Sequence, residues 1–340
     1  MTICLKLLKN LQAYLAMLKK TFLLCLLLSL ILPFAGAEAA QKKTHRINAK
    51  HEHVKTHVVI HAKQQHKLQK VSHSVNAFKE GYTSSGEPKL ASAKALVMDQ
   101  ATGEILYGKN IDKPTPIASV TKLMTAMVML DAHLPMDETL TVTEADVDKL
   151  KGSSSKLPVG SELTRQELLH MALMSSENRA ASALGRNYPG GESAFVAAMN
   201  AKANALGMHD SHFVDPTGLN SNNVSTAIDL AKMVRAAYNY PQIRQVSTSP
   251  SQEFNLNSYR HPVNFSNTNL LVRNSNSKWV IGLSKTGYIS EAGRCLVMQA
   301  EISGKGVVLV FLDSMGKLSR IGDAERIRKW MEHNGSRPVG

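Results

Sequence analysis

Cysteine is scarce in this sequence, and Cys4, Cys25 and Cys295 are the only three in 340 residues. The first two lie in an N-terminal segment that we expect to be removed on export, so no disulfide can form within one mature chain. Cys295 lies in an apolar, strand-like run, which predicts a buried and inert thiol. The composition therefore excludes a disulfide scaffold and argues against a cysteine nucleophile.

Long apolar runs are scarce as well. The run Phe22–Phe34 is too short to span a bilayer comfortably. It follows Lys19 and Lys20 and precedes an Ala-Gly-Ala site at 35–37. This arrangement predicts a secretory signal peptide over residues 1–37. An uncleaved membrane anchor is the alternative.

Acidic residues are missing where basic residues gather. Residues 41–80 carry nine Lys or Arg and two acidic residues, whereas residues 81–340 carry 27 basic and 24 acidic ones. The net charge of +13 therefore belongs mainly to the N-terminal segments. A nucleic-acid-binding domain would carry such charge on its folded part. The distribution thus argues against nucleic acid as a partner.

The segment 38–85 is rich in Lys, Gln, Ser and His and has few large apolar residues. Such a composition cannot bury enough surface to offset the entropy lost on ordering, so it predicts a disordered linker. Its basic part, residues 41–80, could touch an anionic membrane or the cell wall. Alternatively, His53, His57 and His61 would line up on a helix and could bind a transition metal.

The pattern after residue 86 predicts one α+β domain that extends to residue 340. A hairpin comes first, helices follow, and three strands and a final helix close the chain. The first and last strands are expected to share one antiparallel sheet. The predicted elements are strands 95–99, 104–108, 279–283, 295–302 and 307–312, and helices 119–132, 164–172, 193–205, 226–238 and 321–332.

Three short motifs occur in order along this domain: Ser119-Val-Thr-Lys122, Ser176-Glu-Asn178 and Lys285-Thr-Gly287. Each is weak alone, and the first pattern, S-x-x-K, recurs at three other serines. Ser and Lys three residues apart share a face only on a helix. Ser119 alone opens a clean amphipathic helix, so we interpret the copies that begin at Ser153, Ser275 and Ser314 as accidents.

The first motif predicts a serine nucleophile and its base. A serine hydroxyl needs a nearby group to take its proton, and Lys122 can do so if its amine is neutral. Burial or a second cation, for which Lys285 is the candidate, would lower the pKa of Lys122. The N–H groups at a helix start would favour an oxyanion beside Ser119. The alternative is an N-cap serine followed by a surface lysine.

The other two motifs predict substrate contacts. Ser176 and Asn178 lie between two predicted helices, where Ser176 could relay a proton to the leaving amine and Asn178 could hold the substrate amide. Lys285 and Thr286 follow a predicted strand and could bind a carboxylate, while Gly287 would allow close approach of the substrate backbone. The alternatives are a turn with an N-cap and a strand end with a solvated lysine.

These motifs, together with Phe213-Val-Asp-Pro-Thr-Gly-Leu219, resemble the low-molecular-mass penicillin-binding proteins of the serine DD-peptidase family. The resemblance covers roughly Lys94 to the C-terminus and is closest to the D-alanyl-D-alanine endopeptidase branch, the penicillin-binding protein 7 type. Glu177 stands where the carboxypeptidase branch usually has Gly. With Gly340 as the last residue, we expect neither the second domain nor the C-terminal anchor of that branch.

The resemblance implies the serine β-lactamase/DD-peptidase-like fold, an antiparallel five-stranded sheet flanked by helices with a mostly helical subdomain. It implies a periplasmic hydrolase that forms an acyl-enzyme on Ser119 with peptidoglycan cross-links, without a cofactor or metal. The oxyanion would lie between the backbone N–H groups of Ser119 and Tyr288. β-Lactam antibiotics would acylate Ser119 as covalent inhibitors.

Three other functions remain open at this point. A D-alanyl-D-alanine carboxypeptidase would trim pentapeptide stems with the same residues. A class A β-lactamase would need a glutamate in E-x-x-L-N, and Pro216 stands at that position before Leu219 and Asn220. A non-catalytic wall-binding module would have no need of the Ser119 and Lys122 pair.

Overall fold

The structure is a computed structural model that describes residues 81–83 and 86–335. The predicted signal peptide at 1–37 and nearly all of the predicted linker at 38–85 lie outside the described residues. So do Cys4, Cys25 and the histidine series at 53, 57 and 61. No helix of the described part is both long and apolar enough to cross a membrane.

Two hydrophobic patterns build the fold, one of period two for strands and one of helical period. The strands are β1 Lys94–Asp99, β2 Ile105–Lys109, β3 Thr115–Pro116, β4 Thr139–Thr141, β5 Glu162–Thr164, β6 Val224–Ser225, β7 Ser251–Phe254, β8 Val263–Ser266, β9 Val280–Ile289, β10 Gly293–Ile302 and β11 Lys305–Ser314. The helices are α1 Lys122–Asp131, α2 Arg165–Met174, α3 Asn178–Arg186, α4 Gly191–Ala205, α5 Ala227–Ala237, α6 Pro241–Ser247, α7 Leu270–Arg273 and α8 Ser319–Gly335.

The central sheet has five antiparallel strands in the order β2-β1-β11-β10-β9. The N-terminal hairpin pairs with the C-terminal strand, and Lys94 lies opposite Leu312. The predicted α+β class, the five-stranded sheet and the pairing of its first and last strands are therefore confirmed. Three further pairs of short strands, β3-β6, β4-β5 and β7-β8, lie outside this sheet.

Each face of the sheet packs against its own core. Along β11, Val308, Val310 and Leu312 face the large core formed with the helices that follow β2. The alternate residues of that strand face a smaller core that contains Ala324 and Ile327 of α8. Because both faces are covered, β11 is apolar without interruption from 307 to 312. One edge strand, β9, borders the helical region.

Helix α1 lies at the centre of the helical region. The prediction of an amphipathic helix is wrong here, because every residue from Lys122 to Met129 is buried. This helix contacts α2, α3, α4, α5 and α6. A helix covered on all sides carries no polar face, so its lysine is enclosed by protein.

Most predicted elements shift by a few residues at their ends, and three differences go further. The residues Ala118–Thr121 form a 3-10 turn, and the α-helix begins at Lys122. A further helix, α6, opens at Pro241, whose missing N–H would be unpaired at that position anyway. Strand β9 continues six residues past Leu283, to Ile289. The predicted helix at 164–172 is confirmed as α2, which starts with a capping box of Thr164 and Glu167.

Candidate active site

Ser119 lies in the 3-10 turn before α1, and two glycines enclose it. A Cβ on Gly218 would overlap the carbonyl group of Ala118 and lie 2.8 Å from Thr121 Oγ1. A Cβ on Gly287 would lie 3.0 Å from the backbone nitrogen of Ser119. Only glycine lets the 215–218 loop and strand β9 approach the nucleophile this closely from both sides.

The side chain of Lys122 lies directly beneath the serine. Its Nζ is 2.9 Å from Ser119 Oγ, 2.7 Å from Asn178 Oδ1 and 2.7 Å from the carbonyl oxygen of Thr217. A neutral amine has two N–H donors and one lone pair. It can therefore donate to Asn178 and Thr217 and still accept the proton of Ser119.

Burial makes this neutral form accessible. The Lys122 side chain is fully buried, and desolvation lowers its pKa to about 8. The negative charges of Asp215, Glu177 and Asp148 oppose this change without reversing it. The sequence suggested Lys285 as the second cation, but the pKa of Lys122 is lowered by burial. The alternative of a surface lysine is wrong.

The loop that follows α4 fixes the third hydrogen-bond partner of Lys122, the carbonyl oxygen of Thr217. One oxygen of Asp215 accepts hydrogen bonds from the backbone and hydroxyl of Thr217, both at 2.6 Å, and from the backbone of Gly218 at 2.7 Å. The other accepts from Asn220 and Asn223. These bonds turn the Thr217 carbonyl towards Lys122. Sequence reasoning gave Asp215 no role, although Asp before Pro-Thr-Gly is a typical signal of such a turn.

The second motif lies between α2 and α3, as predicted. Ser176 adopts a left-handed backbone with φ of 62°, and Glu177 is the N-cap of α3. The Ser176 hydroxyl accepts a hydrogen bond of 2.8 Å from Lys285 Nζ. Asn178, the first residue of α3, accepts a hydrogen bond from Lys122 Nζ. The junction thus presents one residue to each of the two lysines.

The third motif lies inside β9 and not at its end, and Lys285 is buried. The prediction of a strand end and the alternative of a solvated lysine are both wrong. Lys285 Nζ also donates to the carbonyl oxygen of Thr286, at 2.8 Å. Its pKa is lowered well below the ordinary value by burial and then by the positive charges of Lys122 and Arg320.

Thr286 and Tyr288 are the other two candidate side chains on β9. The Thr286 hydroxyl lies 2.7 Å from the hydroxyl of Thr268. Tyr288 is exposed, and the guanidinium of Arg294 stacks 4.5 Å from its ring centroid. Strand β9 therefore carries a lysine, a threonine and an exposed aromatic side chain, and the Gly287 between them lies against the Ser119 turn.

The other sequence candidates lie in different settings. The hydroxyl of Ser314 is buried and forms a hydrogen bond of 2.7 Å with the hydroxyl of Ser92, which belongs to none of the three motifs. The hydroxyl of Ser153, by contrast, accepts from Asn178 Nδ2 at 2.9 Å. Cys295 is buried as predicted, and burial raises the pKa of its thiol to about 11. Among the described residues, no group of three His, Cys, Asp or Glu could hold a metal ion.

Comparison with known proteins gives consistent matches over the domain. A family model described as D-alanyl-D-alanine carboxypeptidase matches residues 81–316. A D-alanyl-D-alanine endopeptidase of Pseudomonas aeruginosa is 50% identical over 249 residues, which cover 72% of this chain and 79% of that protein. A D-alanyl-D-alanine endopeptidase of Escherichia coli is 46% identical over 257 residues, 76% of this chain and 82% of that protein.

Solved structures match over the same part. The crystal structure of the Streptomyces K15 DD-transpeptidase superposes with a TM-score of 0.66 at 31% identity, covering 72% of this chain and 97% of that one. A D-alanyl-D-alanine carboxypeptidase from Mycobacterium tuberculosis gives a TM-score of 0.64 at 27% identity, with 74% and 94% covered. The described domain is thus similar to nearly the whole of each of these enzymes.

Proposed function

Because this chain belongs to the D-alanyl-D-alanine carboxypeptidase family of serine DD-peptidases, we propose that it hydrolyses peptidoglycan through an acyl-enzyme on Ser119. Within the family, we propose the endopeptidase reaction, which cuts the cross-link between D-alanine and diaminopimelate. Two relatives at 50% and 46% identity carry the name D-alanyl-D-alanine endopeptidase, and this chain covers about four fifths of each.

The observation that carries the proposal is the contact between Ser119 Oγ and Lys122 Nζ at 2.9 Å. A buried lysine whose pKa is lowered to about 8 is a base poised near the pH of the reaction. A wall-binding module would have no use for a desolvated amine that hydrogen-bonds a serine. Strongly perturbed lysines of this kind are typical of catalytic sites.

In the acylation step, Ser119 Oγ attacks the carbonyl carbon of a D-alanine residue, and its proton passes to Lys122 Nζ. The tetrahedral oxyanion is placed between the backbone N–H groups of Ser119 and Tyr288. The bond between carbonyl carbon and nitrogen then breaks, and the leaving amine takes a proton through Ser176, which contacts Lys285. Water then attacks the Ser119 ester and passes a proton back through Ser176 to Lys285, while Ser119 recovers its proton from Lys122, which restores the free enzyme.

The remaining motif residues orient the substrate. Asn178 is assigned to the substrate amide, and Lys285 and Thr286 to a carboxylate on the leaving side. Gly287 lets the substrate backbone lie along β9, since its missing side chain already allows contact with the Ser119 turn. No cofactor enters this mechanism.

The substrate places the reaction outside the cytoplasm, and we assign it to the periplasm. Export would follow from the predicted signal peptide at 1–37. The basic residues 41–80 would then contact the anionic wall or membrane surface. β-Lactams, which carry a strained acyl group in place of the D-alanine carbonyl, are expected to acylate Ser119 and remain bound.

The test uses the exported protein on two purified muropeptides, with Ser119→Ala as control. One substrate is a dimer cross-linked through D-alanine and diaminopimelate, and the other is an uncross-linked pentapeptide monomer. We expect the dimer to fall to monomers and the pentapeptide to survive. Loss of terminal D-alanine alone would assign the chain to the carboxypeptidases. No reaction with either substrate would refute the proposal that the chain is a peptidoglycan hydrolase.

A further inference from the structure

The side-chain amide of Asn178 is held at both ends. Its Oδ1 accepts from Lys122 Nζ at 2.7 Å, and its Nδ2 donates to Ser153 Oγ at 2.9 Å. Lys122 requires an acceptor at this contact, which a carbonyl oxygen supplies and an amide nitrogen does not. Lys122 thus selects the amide oxygen at one end, and an acceptor on Ser153 is needed to hold the amide nitrogen at the other.

The hydroxyl of Ser153 is itself oriented by a carboxylate. It lies 2.6 Å from Asp148 Oδ2, and the backbone N–H of Ser153 donates to the same oxygen at 2.8 Å. An ionised carboxylate only accepts, so the Ser153 hydroxyl must donate to Asp148 and offer its lone pairs to Asn178. The direction of each hydrogen bond from Asn178 to Asp148 is thereby fixed.

Asp148 is itself held in place by backbone hydrogen bonds within its loop. Its Oδ1 accepts from the backbone N–H groups of Leu150 and Lys151, at 2.8 and 2.9 Å. Burial opposes ionisation, but the hydrogen bonds from Ser153 and Lys151 outweigh it and lower the pKa of Asp148. The carboxylate therefore stays an acceptor at neutral pH.

We propose that Asp148 and Ser153 are positioning residues for acylation, acting through the amide of Asn178. An amide nitrogen carries two hydrogens, and Ser153 accepts one of them. The other is thus aimed at the carbonyl oxygen of the substrate amide, while the amide oxygen stays on Lys122. The inference rests on the proposed function, because it assigns these residues to the acylation of Ser119.

Loss of the Ser153 hydroxyl should release the amide without disturbing the core. Ser153 is exposed, so Ser153→Ala opens no buried cavity. The amide could then rotate away from Lys122 and from the substrate. We expect the rate constant for acylation to fall about tenfold, the effect of one oriented hydrogen bond to a polar transition state.

The chain offers a matched control two residues further along the same loop. Ser155 donates to Glu177 Oε1 at 2.8 Å, so Ser155→Ala also removes a serine-to-carboxylate bond but keeps both described hydrogen bonds of the Asn178 amide. If the loop acts only as a support, both alanine variants should behave alike. Ser153→Thr retains the hydroxyl and should restore most of the wild-type rate.

The experiment measures the rate of acylation by a fluorescent penicillin, together with the melting temperature of each variant. We expect Ser153→Ala and Asp148→Asn to be slow, and Ser153→Thr and Ser155→Ala to stay near wild type. A wild-type rate in Ser153→Ala, or an equally slow Ser155→Ala, would overturn the inference while leaving the enzyme intact. Absence of labelling in the wild type would refute the proposed function as well.

Discussion

Two buried charges in the helical region are treated in opposite ways. Asp146 ends a 3-10 turn at Glu144–Asp146 and forms a salt bridge of 2.8 Å with Arg186. Ser182 and Thr143 complete its hydrogen bonds. Burial would raise its pKa, but these partners outweigh burial and lower it. The charge of Asp146 is therefore fully compensated.

Lys122 is buried at least as deeply, but its hydrogen-bond partners are neutral. Ser119, Asn178 and Thr217 accept from it, and the carboxylates that influence it do so without a direct bond. Burial therefore prevails and lowers its pKa to about 8. A compensated charge holds two segments together, whereas an uncompensated one keeps the reactivity of a base.

The strongest test of this comparison is Lys122→Met, for which we expect the largest loss of acylation. The substitution keeps the length and apolar volume of the side chain but removes the base, so penicillin acylation should fall by about 10³-fold or more. The melting temperature should not fall, because the substitution also removes the free-energy cost of burying the Lys122 amine. The measurement pairs labelling rate with thermal unfolding.

Arg186→Met tests the compensated charge and should give the reverse result. It leaves Asp146 buried without its counterion, which should lower the free energy of unfolding by about 3 kcal/mol. Denaturant unfolding would measure this loss. The folded fraction should acylate at the wild-type rate, since Arg186 contacts no residue of the three motifs in the bonds described. A stable but inactive variant would contradict the comparison.

The pH dependence of acylation gives a smaller effect that sharpens it. Lys122 reacts as the neutral amine, whose fraction grows as pH rises towards its pKa of about 8. The acylation rate constant should therefore rise by about tenfold per unit below that pH and level off above it. Melting temperatures over the same range would separate catalysis from unfolding. A flat profile from pH 6 to 9 would show that Lys122 is not the base.

The same pKa has a consequence for stability. Below about pH 8, Lys122 is charged in both the folded and the unfolded protein, and its burial weakens the fold. Between about pH 8 and the ordinary value of 10.5, the unfolded chain binds more protons than the folded one. The contribution of this residue to stability therefore rises with pH across that window.

The sequence predicts the parts of the fold that depend on local pattern. The hairpin of β1 and β2 and the apolar strand β11 are legible because their residues alternate or are wholly apolar. Strand β9 is only half legible, since Lys285, Thr286 and Gly287 interrupt its apolar pattern. Pairing with β10 nevertheless continues through these residues. Tertiary pairing there overrides what the local residues favour.

The site is predictable only where its residues lie in recognisable motifs. Ser119, Ser176 and Lys285 are far apart in sequence but come together because each motif lies at a fitting element. The sequence does not identify Ser153, because a serine and a lysine three residues apart cooperate only on a helix. Its contact comes instead from Asn178, 25 residues away. Such a contact has no local signal.

The smallest expected effect on stability and acylation comes from an exposed ion pair, to which the comparison of buried charges does not extend. Lys151, in the loop that carries Ser153, forms a salt bridge with Glu291 in the turn between β9 and β10. The hydrogen bond from Lys151 lowers the pKa of Glu291 to about 2, yet Glu291 lies in solvent. Screening by water and salt makes such pairs weak.

Glu291→Gln should therefore leave the melting temperature nearly unchanged, and high salt should have little effect on the wild type. If the pair only joins two surface segments, penicillin acylation should also stay near the wild-type rate. A clear loss of acylation without a loss of stability would instead show that the link holds the Ser153 loop in place relative to the turn that follows β9. In that case, the solvent exposure of a charged pair would no longer indicate that the pair is only structural.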